Sequence, residues 1–185
     1  MIRALTRLVR FGRDRRGVSA IEFALIAPLM VALYLGCVEL SDGIAVDRKV
    51  SLTAAALANL VSESTSLTSN DMTNVFDAAS AIIQPYAASN MKMTVSCLSI
   101  DASQNVTTKW TATSNGGVTG GTGTVPTDLL IANTQLIQAQ VSYAYKPIVG
   151  YTISGTLTLS DQMYMMPRIS AASYTDASNV TNSCT

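Results

Sequence analysis

The sequence contains no histidine, and only 13% of its 185 residues are charged. Without histidine, the usual zinc sites and the Ser-His and Cys-His arrangements of hydrolases are excluded. The three cysteines form no CxxC pair, and the carboxylates are scattered along the chain. Asp101 and Asp128 are the pair that a fold could bring together, so a hydrolytic or ligand-binding domain stays an unsupported alternative. We expect a protein that is not an enzyme and that uses no metal and no cofactor.

Charge is absent from Phe23 to Val38, and Glu22 is the one charged residue between Gly17 and Glu39. A helix of about 20 apolar residues, rising about 1.5 Å per residue, spans the hydrocarbon core of a bilayer. The run therefore predicts a transmembrane helix over residues 18–40. Pro28 lies inside the run, where membrane helices tolerate it.

The net charge of zero hides an asymmetry between the two ends of the chain. Residues 1–16 carry six arginines and one aspartate, a balance of +5, and the remaining residues carry a balance of −5. Basic residues before a membrane span favour retention of that end in the cytoplasm. We expect a cytoplasmic basic leader at 1–17 and a periplasmic domain at 41–185. A basic arm that binds nucleic acid is the alternative, but the apolar run follows at once, so no nucleic-acid partner is expected.

The end of the apolar run does not resemble the end of a cleaved secretory signal. It reads Leu35-Gly36-Cys37-Val38-Glu39, without a small-x-small site. Gly36-Cys37 resembles the end of a lipoprotein signal, but Tyr34 stands where that signal normally has a small aliphatic residue.

The stretch Arg15 to Phe23, RRGVSAIEF, resembles the processing motif of type IV pilin-like proteins. Together with Ala24-Leu25, Pro28 and the sequence GCVEL at 36–40, it resembles the TadE/TadF pseudopilins of the tight-adherence (Flp) pilus system. The resemblance implies cleavage by a prepilin peptidase between Gly17 and Val18, with Glu22 and Phe23 acting in assembly. Gly12 lacks the motif, because Gly17 rather than an acid stands five residues after it.

The same resemblance implies a set of partners and a role. The partners are the prepilin peptidase, a second pseudopilin, the major pilin, the inner-membrane assembly platform and membrane lipid. The role is assembly of an adhesive type IVb pilus at the bacterial inner membrane. Tyr143 to Pro147 and Met165 to Arg168 also resemble strand ends of that family. An uncleaved single-pass scaffold is the structural alternative.

Glu22 makes insertion of the predicted helix into a membrane less favourable. A carboxylate at the centre of a membrane helix costs about 2.5–3.5 kcal/mol on insertion scales, and such groups tend to be functional. Cleavage after Gly17 would free an amine on Val18 about one helical turn away. That amine, or the one on a neighbouring subunit, would neutralise the carboxylate and favour assembly. The alternative is that Glu22 lies among lipid headgroups and has no role.

Beyond the span, periodicity predicts an α+β domain with a second helix and an antiparallel sheet of about four strands. The inward residues expected on the continued first helix are Ile44, Val46, Val50, Ala54, Leu57 and Val61. A second helix, capped by Ser69 or Asn70 and running to about Ile83, should bury Val75, Ala79, Ile82 and Ile83. The strand patterns with one buried face are Met91 to Cys97, Val106 to Ala112, Ile137 to Tyr145 and Ile153 to Leu159, the last extending toward Met165.

Turn-forming residues predict the connections between these elements. Asp101 to Asn105 predicts a hairpin turn, and Thr127 to Asn133 a short helical turn after Pro126. Ser114 to Pro126 holds five glycines. It lacks a P-loop because Thr122 stands where the lysine must be, so a flexible surface loop is expected.

The three cysteines fall on both sides of the expected membrane boundary. Cys37 lies in the span, where a small apolar packing role is expected. Cys97 and Cys184 lie in the part placed in an oxidising periplasm, which permits a disulfide between them. Two separate thiols are the alternative.

Overall fold

The computed structural model describes residues 17–118, 125–147, 155–169 and 172–184. The predicted α+β class, with a long apolar helix, a second helix and a four-stranded antiparallel sheet, is confirmed. The helices are α1 (Val18–Ser62) and α2 (Ser69–Ser80). The strands are β1 (Ser66–Thr68), β2 (Met91–Ile100), β3 (Val106–Ser114), β4 (Thr134–Tyr145), β5 (Leu157–Met165), β6 (Ser173–Thr175) and β7 (Thr181–Ser183).

Helix α1 is continuous through Pro28. Its first part is not covered by the domain, whereas its second part packs against the domain. No residue from Val18 to Val38 is buried, and Glu39 is the first buried residue. Further along, the predicted inward positions from Val46 to Val61 are fully buried, whereas Ile44 is 62% exposed. The expectation for Ile44 was therefore wrong, because the domain covers only one side of the helix at that level.

The main sheet has the strand order β3-β2-β4-β5, with all neighbours antiparallel. Helix α1 packs against β4 and β5. The core face of the two central strands carries apolar residues at alternate positions, as the period of two predicts. These residues are Met91, Met93, Val95, Cys97, Ile137, Ala139, Val141, Tyr143 and Tyr145. The fourth predicted strand begins at Leu157, and Ile153 lies outside the described residues.

Strand β3 departs from the predicted single buried face. Its register shifts between Cys97 and Leu98 of β2, since Cys97 pairs with Trp110 and Leu98 with Thr108. The extra residue, Lys109, forms a β-bulge, which moves later side chains to the opposite face. Trp110 therefore joins the main core, while Thr108 lies beside Leu98 on the other side of the sheet. A simple alternation from Val106 to Ala112 was the wrong expectation.

Helix α2 begins with a capping box one residue earlier than expected. Thr68 Oγ1 accepts a hydrogen bond from the backbone nitrogen of Asp71 (3.2 Å), and the Asp71 carboxylate accepts one from Thr68 N (3.0 Å). The helix ends at Ser80 and a 3-10 turn continues to Ile83, which is buried. Its buried face is Met72, Phe76 and Ala79; Val75 is partly buried rather than central.

The hairpin and the short turn lie where the sequence predicts them. Asp101 N donates to the Asn105 carbonyl (3.0 Å), closing the turn between β2 and β3. A 3-10 turn at Thr127–Leu129 follows Pro126. Leu98, Leu136 and Val125 form a small second core on the face of the sheet away from α1.

The C-terminal residues return to the domain through a small sheet of order β1-β6-β7. Trp110 Nε1 donates to the Ala172 carbonyl (3.1 Å), and its ring lies 5.4 Å from the Tyr174 ring. Arg168 binds the end of α1 by donating to Glu63 (3.1 Å) and Asn59 (2.8 Å). The tail is thereby joined to the sheet core and to the first helix.

Candidate functional site

Gly17 stands at the start of α1 without a structural need for glycine. Its φ is −79°, a value that any residue adopts, and an added Cβ would meet no atom within 4 Å. Val18, the first helical residue, is half exposed. Neither backbone conformation nor packing within the described chain therefore requires glycine at position 17. The adjoining Arg15 and Arg16 lie outside the described residues.

Glu22 lies one helical turn after Val18, on the exposed part of α1. Four residues of helix separate the two positions by about 6 Å along the axis. Phe23 beside it is 70% exposed. Gly17, Val18, Glu22 and Phe23 are thus gathered at one end of the helix, where the domain covers none of them.

A line of exposed apolar residues continues from Glu22 along α1. At about 100° per residue, positions 7, 11, 18 and 22 residues beyond Glu22 fall within about 40° of it around the axis. We call this line the Glu22 stripe; its members are Glu22, Leu29, Leu33, Leu40 and Ile44, and the four apolar ones are each at least 60% exposed. The stripe passes the level of Glu39 without being covered by the domain.

Glu39 marks the junction between the exposed helix and the domain, and only 3% of it is exposed. Burial raises the pKa of Tyr145, and the nearby Asp42 carboxylate, Tyr86 and Glu39 raise it further. Lys49 donates hydrogen bonds to the carbonyls of Ile82 and Gln84. From the sequence, Glu39 was recognised only as the charged residue that ends the apolar run. Its spacing of seven residues from Val46 and eleven from Val50 places it on their side of the helix, but this spacing alone did not indicate burial.

The carboxylate considered for chemistry, Asp101, is held inside its own turn. It accepts hydrogen bonds from Ser103 N (2.7 Å), Asn105 N (2.8 Å) and Asn105 Nδ2 (2.9 Å). The Asn105 side chain, then its backbone, lower the pKa of Asp101. Within the described residues, no group of three or more acidic or cysteine side chains is placed to hold a metal ion. Asp101 therefore acts as a turn-forming residue.

Cys97 and Cys184 are joined by a disulfide, with their Cα atoms 5.9 Å apart. Both residues are fully buried, at the meeting point of β2 and the C-terminal tail. Cys37 is a free, exposed cysteine on the uncovered part of α1. The three cysteines thus divide between the helix and the domain, as their positions in the sequence suggest.

The comparison with protein families finds a match with the TadE-like protein family over residues 17–58. The match begins at Gly17 and covers most of α1, including the Glu22 stripe. It confirms the resemblance stated for this part of the chain. No curated protein and no solved structure matches the chain. The resemblance of Tyr143 to Pro147 and Met165 to Arg168 stays a prediction. Helix α1 is also long and apolar enough to cross a membrane.

Proposed function

We propose that this chain, with its TadE-like residues 17–58, is a single-pass pseudopilin that takes part in assembly of an adhesive Tad pilus. It acts without catalysis, through its helix and its domain. The observation that carries the proposal is the uncovered α1 segment from Val18 to Val38, which begins at the Gly17 motif. An apolar helix that its own domain leaves bare needs lipid or other helices around it.

The topology follows from the charge pattern and the bare helix. Residues 1–17 form a cytoplasmic leader, 18–40 cross the inner membrane and 41–185 form a periplasmic domain. The bare segment is about as long as the hydrocarbon core is thick, roughly 30 Å. Burial of α1 by the domain starts at Glu39, close to this proposed boundary. The buried disulfide also suits an oxidising compartment.

Processing by a prepilin peptidase is supported by the setting of Gly17. Nothing in the described residues requires glycine at position 17. A peptidase that accepts no side chain at this position would explain the glycine. Cleavage would leave Val18 as the new N-terminus, about one turn from Glu22. The amine and the carboxylate would then neutralise each other, within one chain or between chains, and reduce the cost of Glu22 in the membrane.

Mature-form mass spectrometry tests this proposal directly. In cells with an active prepilin peptidase, we expect the wild-type protein to begin at Val18. Gly17→Lys should retain the leader, because a long charged side chain fills the position next to the cut. Gly12→Lys is the matched control, since Gly12 has no acid five residues after it, and should be processed normally. An intact leader in the wild type would favour the uncleaved scaffold.

The assembly role is tested separately from processing. Deletion of the chain should abolish or reduce pili on the cell surface, and a plasmid copy should restore them. The partners expected are a second pseudopilin, the major pilin and the inner-membrane platform. Normal piliation without this chain would contradict the role even if cleavage at Gly17 is found.

A further inference from the structure

The face of the sheet away from α1 carries two rows of uncharged polar side chains that cross all four strands. Cross-strand register defines the rows, because paired residues lie side by side on one face. One row consists of Thr113, Thr94, Gln140 and Gln162, and the other of Thr111, Ser96, Gln138 and Tyr164. We call these residues the polar rows. Their central members are 9% exposed or less, although no function assigned above uses them.

Hydrogen bonding within the polar rows is incomplete. Gln138 Nε2 donates to Tyr164 Oη (2.9 Å), but its Oε1 is buried and has no partner among the described residues. Gln162 Oε1 receives two long hydrogen bonds, from Gln138 (3.5 Å) and Gln140 (3.4 Å). An unpaired buried polar atom destabilises a fold. Buried amides with incomplete hydrogen bonding stabilise the fold less than apolar residues would.

The connection after β3 lies close against one end of the polar rows. Val118 N donates to Thr94 Oγ1 (2.9 Å). Gly117 has φ +69°, and an added Cβ would stand 2.9 Å from Thr113 Cγ2. A side chain here would be strained by the positive φ and crowded by Thr113, so glycine suits this close approach. Gly117 and Val118 therefore lie against the polar rows and form a wall beside them.

A pocket of about 320 Å³ lies between this wall and strands β4 and β5. It is lined by Val118, Gln140, Val141, Ser160, Asp161 and Gln162. That volume is at the small end of the range for small-molecule sites. The side chains on the pocket's face of the sheet are the Gln140 and Gln162 amides and the Ser160 hydroxyl, whereas Asp161 pairs with Val141 of the main core. The described lining contains no lysine or arginine, so an anionic ligand would find no charge partner.

We propose that this pocket binds a neutral, hydroxyl-rich ligand, a single hexose unit. Hexose hydroxyls both donate and accept, which suits side-chain amides that present a donor and an acceptor side by side. The Gln162 and Gln140 amides would bind such hydroxyls, with the Ser160 hydroxyl binding another, because these three positions share the face away from α1. Val118 provides apolar contact for the C–H face of the ring. This binding activity lies beyond the role in pilus assembly.

Saturation-transfer NMR on the full-length protein in lipid nanodiscs tests the proposal. The probes are glucose, galactose, mannose and N-acetylglucosamine, each free and as the methyl glycoside. We expect transfer to at least one hexose at millimolar concentration. A preference for the glycoside assigns the site to the end of a glycan chain, and a preference for the free sugar to a soluble monosaccharide.

Two glutamine variants and a matched control locate the binding. Gln162→Leu and Gln140→Leu should each weaken binding by roughly tenfold, the loss expected for a removed ligand hydrogen bond. The control is Gln135→Leu, which makes the same change on β4, the strand of Gln140, but on the opposite face of the sheet. It should leave binding unchanged. Gln162 is exposed on the edge strand, so its substitution should preserve the fold, which Trp110 fluorescence verifies.

Three outcomes would overturn the proposal. The first is the absence of saturation transfer to every hexose at 10 mM, a concentration on the order of weak sugar binding. The second is equal hexose binding by the wild type, Gln162→Leu and Gln140→Leu. The third is binding of the polyamine spermidine at this pocket in place of hexoses, which would assign the pocket to a cationic ligand.

Discussion

At the scale of single residues, Glu22 and Glu39 show how position along one helix changes what a carboxylate does. Glu39 is enclosed by the domain, where it contributes to the environment of Tyr145. Glu22 lies on the bare part of α1, one turn from the proposed new N-terminus at Val18. Since the described chain places no covering group over Glu22, its compensation in a membrane has to come from the Val18 amine or from another molecule.

Replacement of Glu22 separates insertion from assembly. Glu22→Ala should still insert and be cleaved, because the apolar run and Gly17 are unchanged, but surface pili should fall to a small fraction of the wild-type number. Electron microscopy and mass spectrometry of the N-terminus measure the two effects. The conservative Glu22→Asp should retain more pili than Glu22→Ala. Normal piliation by Glu22→Ala would show that the carboxylate has no role in assembly.

At the scale of elements, α1 is one helix with two parts. The first part is apolar and uncovered by the domain, and the second part packs into the domain core. The Glu22 stripe lies on a side that the domain leaves uncovered, past the level of Glu39. A neighbouring helix that pairs with Glu22 would therefore meet the stripe without colliding with the sheet. The continuity of this side follows from the unbroken run of the helix through Pro28.

Site-specific photocrosslinking tests which side of α1 meets its partners. Leu33 lies about 20° from Glu22 around the axis and Val31 about 180° from it; both are more than half exposed. A benzoylphenylalanine at position 33 should crosslink to the major pilin or a second pseudopilin several-fold more than one at position 31. Equal yields at the two positions would contradict a role for the Glu22 stripe.

Helix α2 depends on its capping box for a stable start. Thr68→Ala removes the side-chain acceptor for Asp71 N, and loss of such a cap costs about 1 kcal/mol. Urea unfolding of the micelle-bound protein should show a lower midpoint, while Thr73→Ala, within the same helix but away from the cap, should have a smaller effect. An unchanged midpoint for Thr68→Ala would show that tertiary packing alone fixes α2.

The same cap predicts a dependence of stability on pH. Hydrogen bonds from the Thr68 side chain and backbone lower the pKa of Asp71 below its ordinary value of 3.8. A carboxylate whose pKa is lowered by folding stabilises the fold above its unfolded pKa, and this contribution is lost as the pH falls through the folded value. Thr68→Ala should therefore lose less stability than the wild type between pH 5 and about pH 2.

At the scale of the whole molecule, the described part of the C-terminal tail is joined to the rest of the domain by side-chain contacts and a disulfide, in addition to the β1–β6 pairing. Trp110 binds the Ala172 carbonyl, Arg168 binds the end of α1, and Cys184 is bonded to Cys97 of β2. The Arg168–Glu63 ion pair is exposed on both sides, so it adds little stability by itself. The disulfide spans 87 residues of sequence and has the largest effect on the unfolded chain.

Removal of the disulfide should loosen the tail. Cys184→Ser should lower the free energy of unfolding by about 2–5 kcal/mol, the range for native disulfides. Trp110 is the single tryptophan and is 4% exposed, so its fluorescence reports both tail release and unfolding. Cys37→Ser is the control and should leave stability unchanged. Two free thiols at positions 97 and 184 in protein from membranes would contradict the pairing.

The sequence by itself determined the elements whose signal is local. A long charge-free run specifies a helix that can span a membrane, and the spacing of Gly17 and Glu22 specifies the motif. Alternation from Met91 to Cys97 and from Ile137 to Tyr145 specifies two core strands, because a strand repeats every two residues. The start of α2 was predicted to within one or two residues, since Ser69 or Asn70 was expected as the cap and Thr68 is the residue that caps the helix.

Only the tertiary structure decided what covers each element. The Lys109 bulge sends Thr108 and Trp110 to opposite faces, and no local pattern marks where the pairing slips. Burial of Glu39 and of Gln138 depends on chain segments far away in sequence. Periodicity specifies which residues share a face, whereas the occupant of that face is set by long-range packing. For that reason the exposed motif on α1 was predictable and the polar rows of the sheet were not.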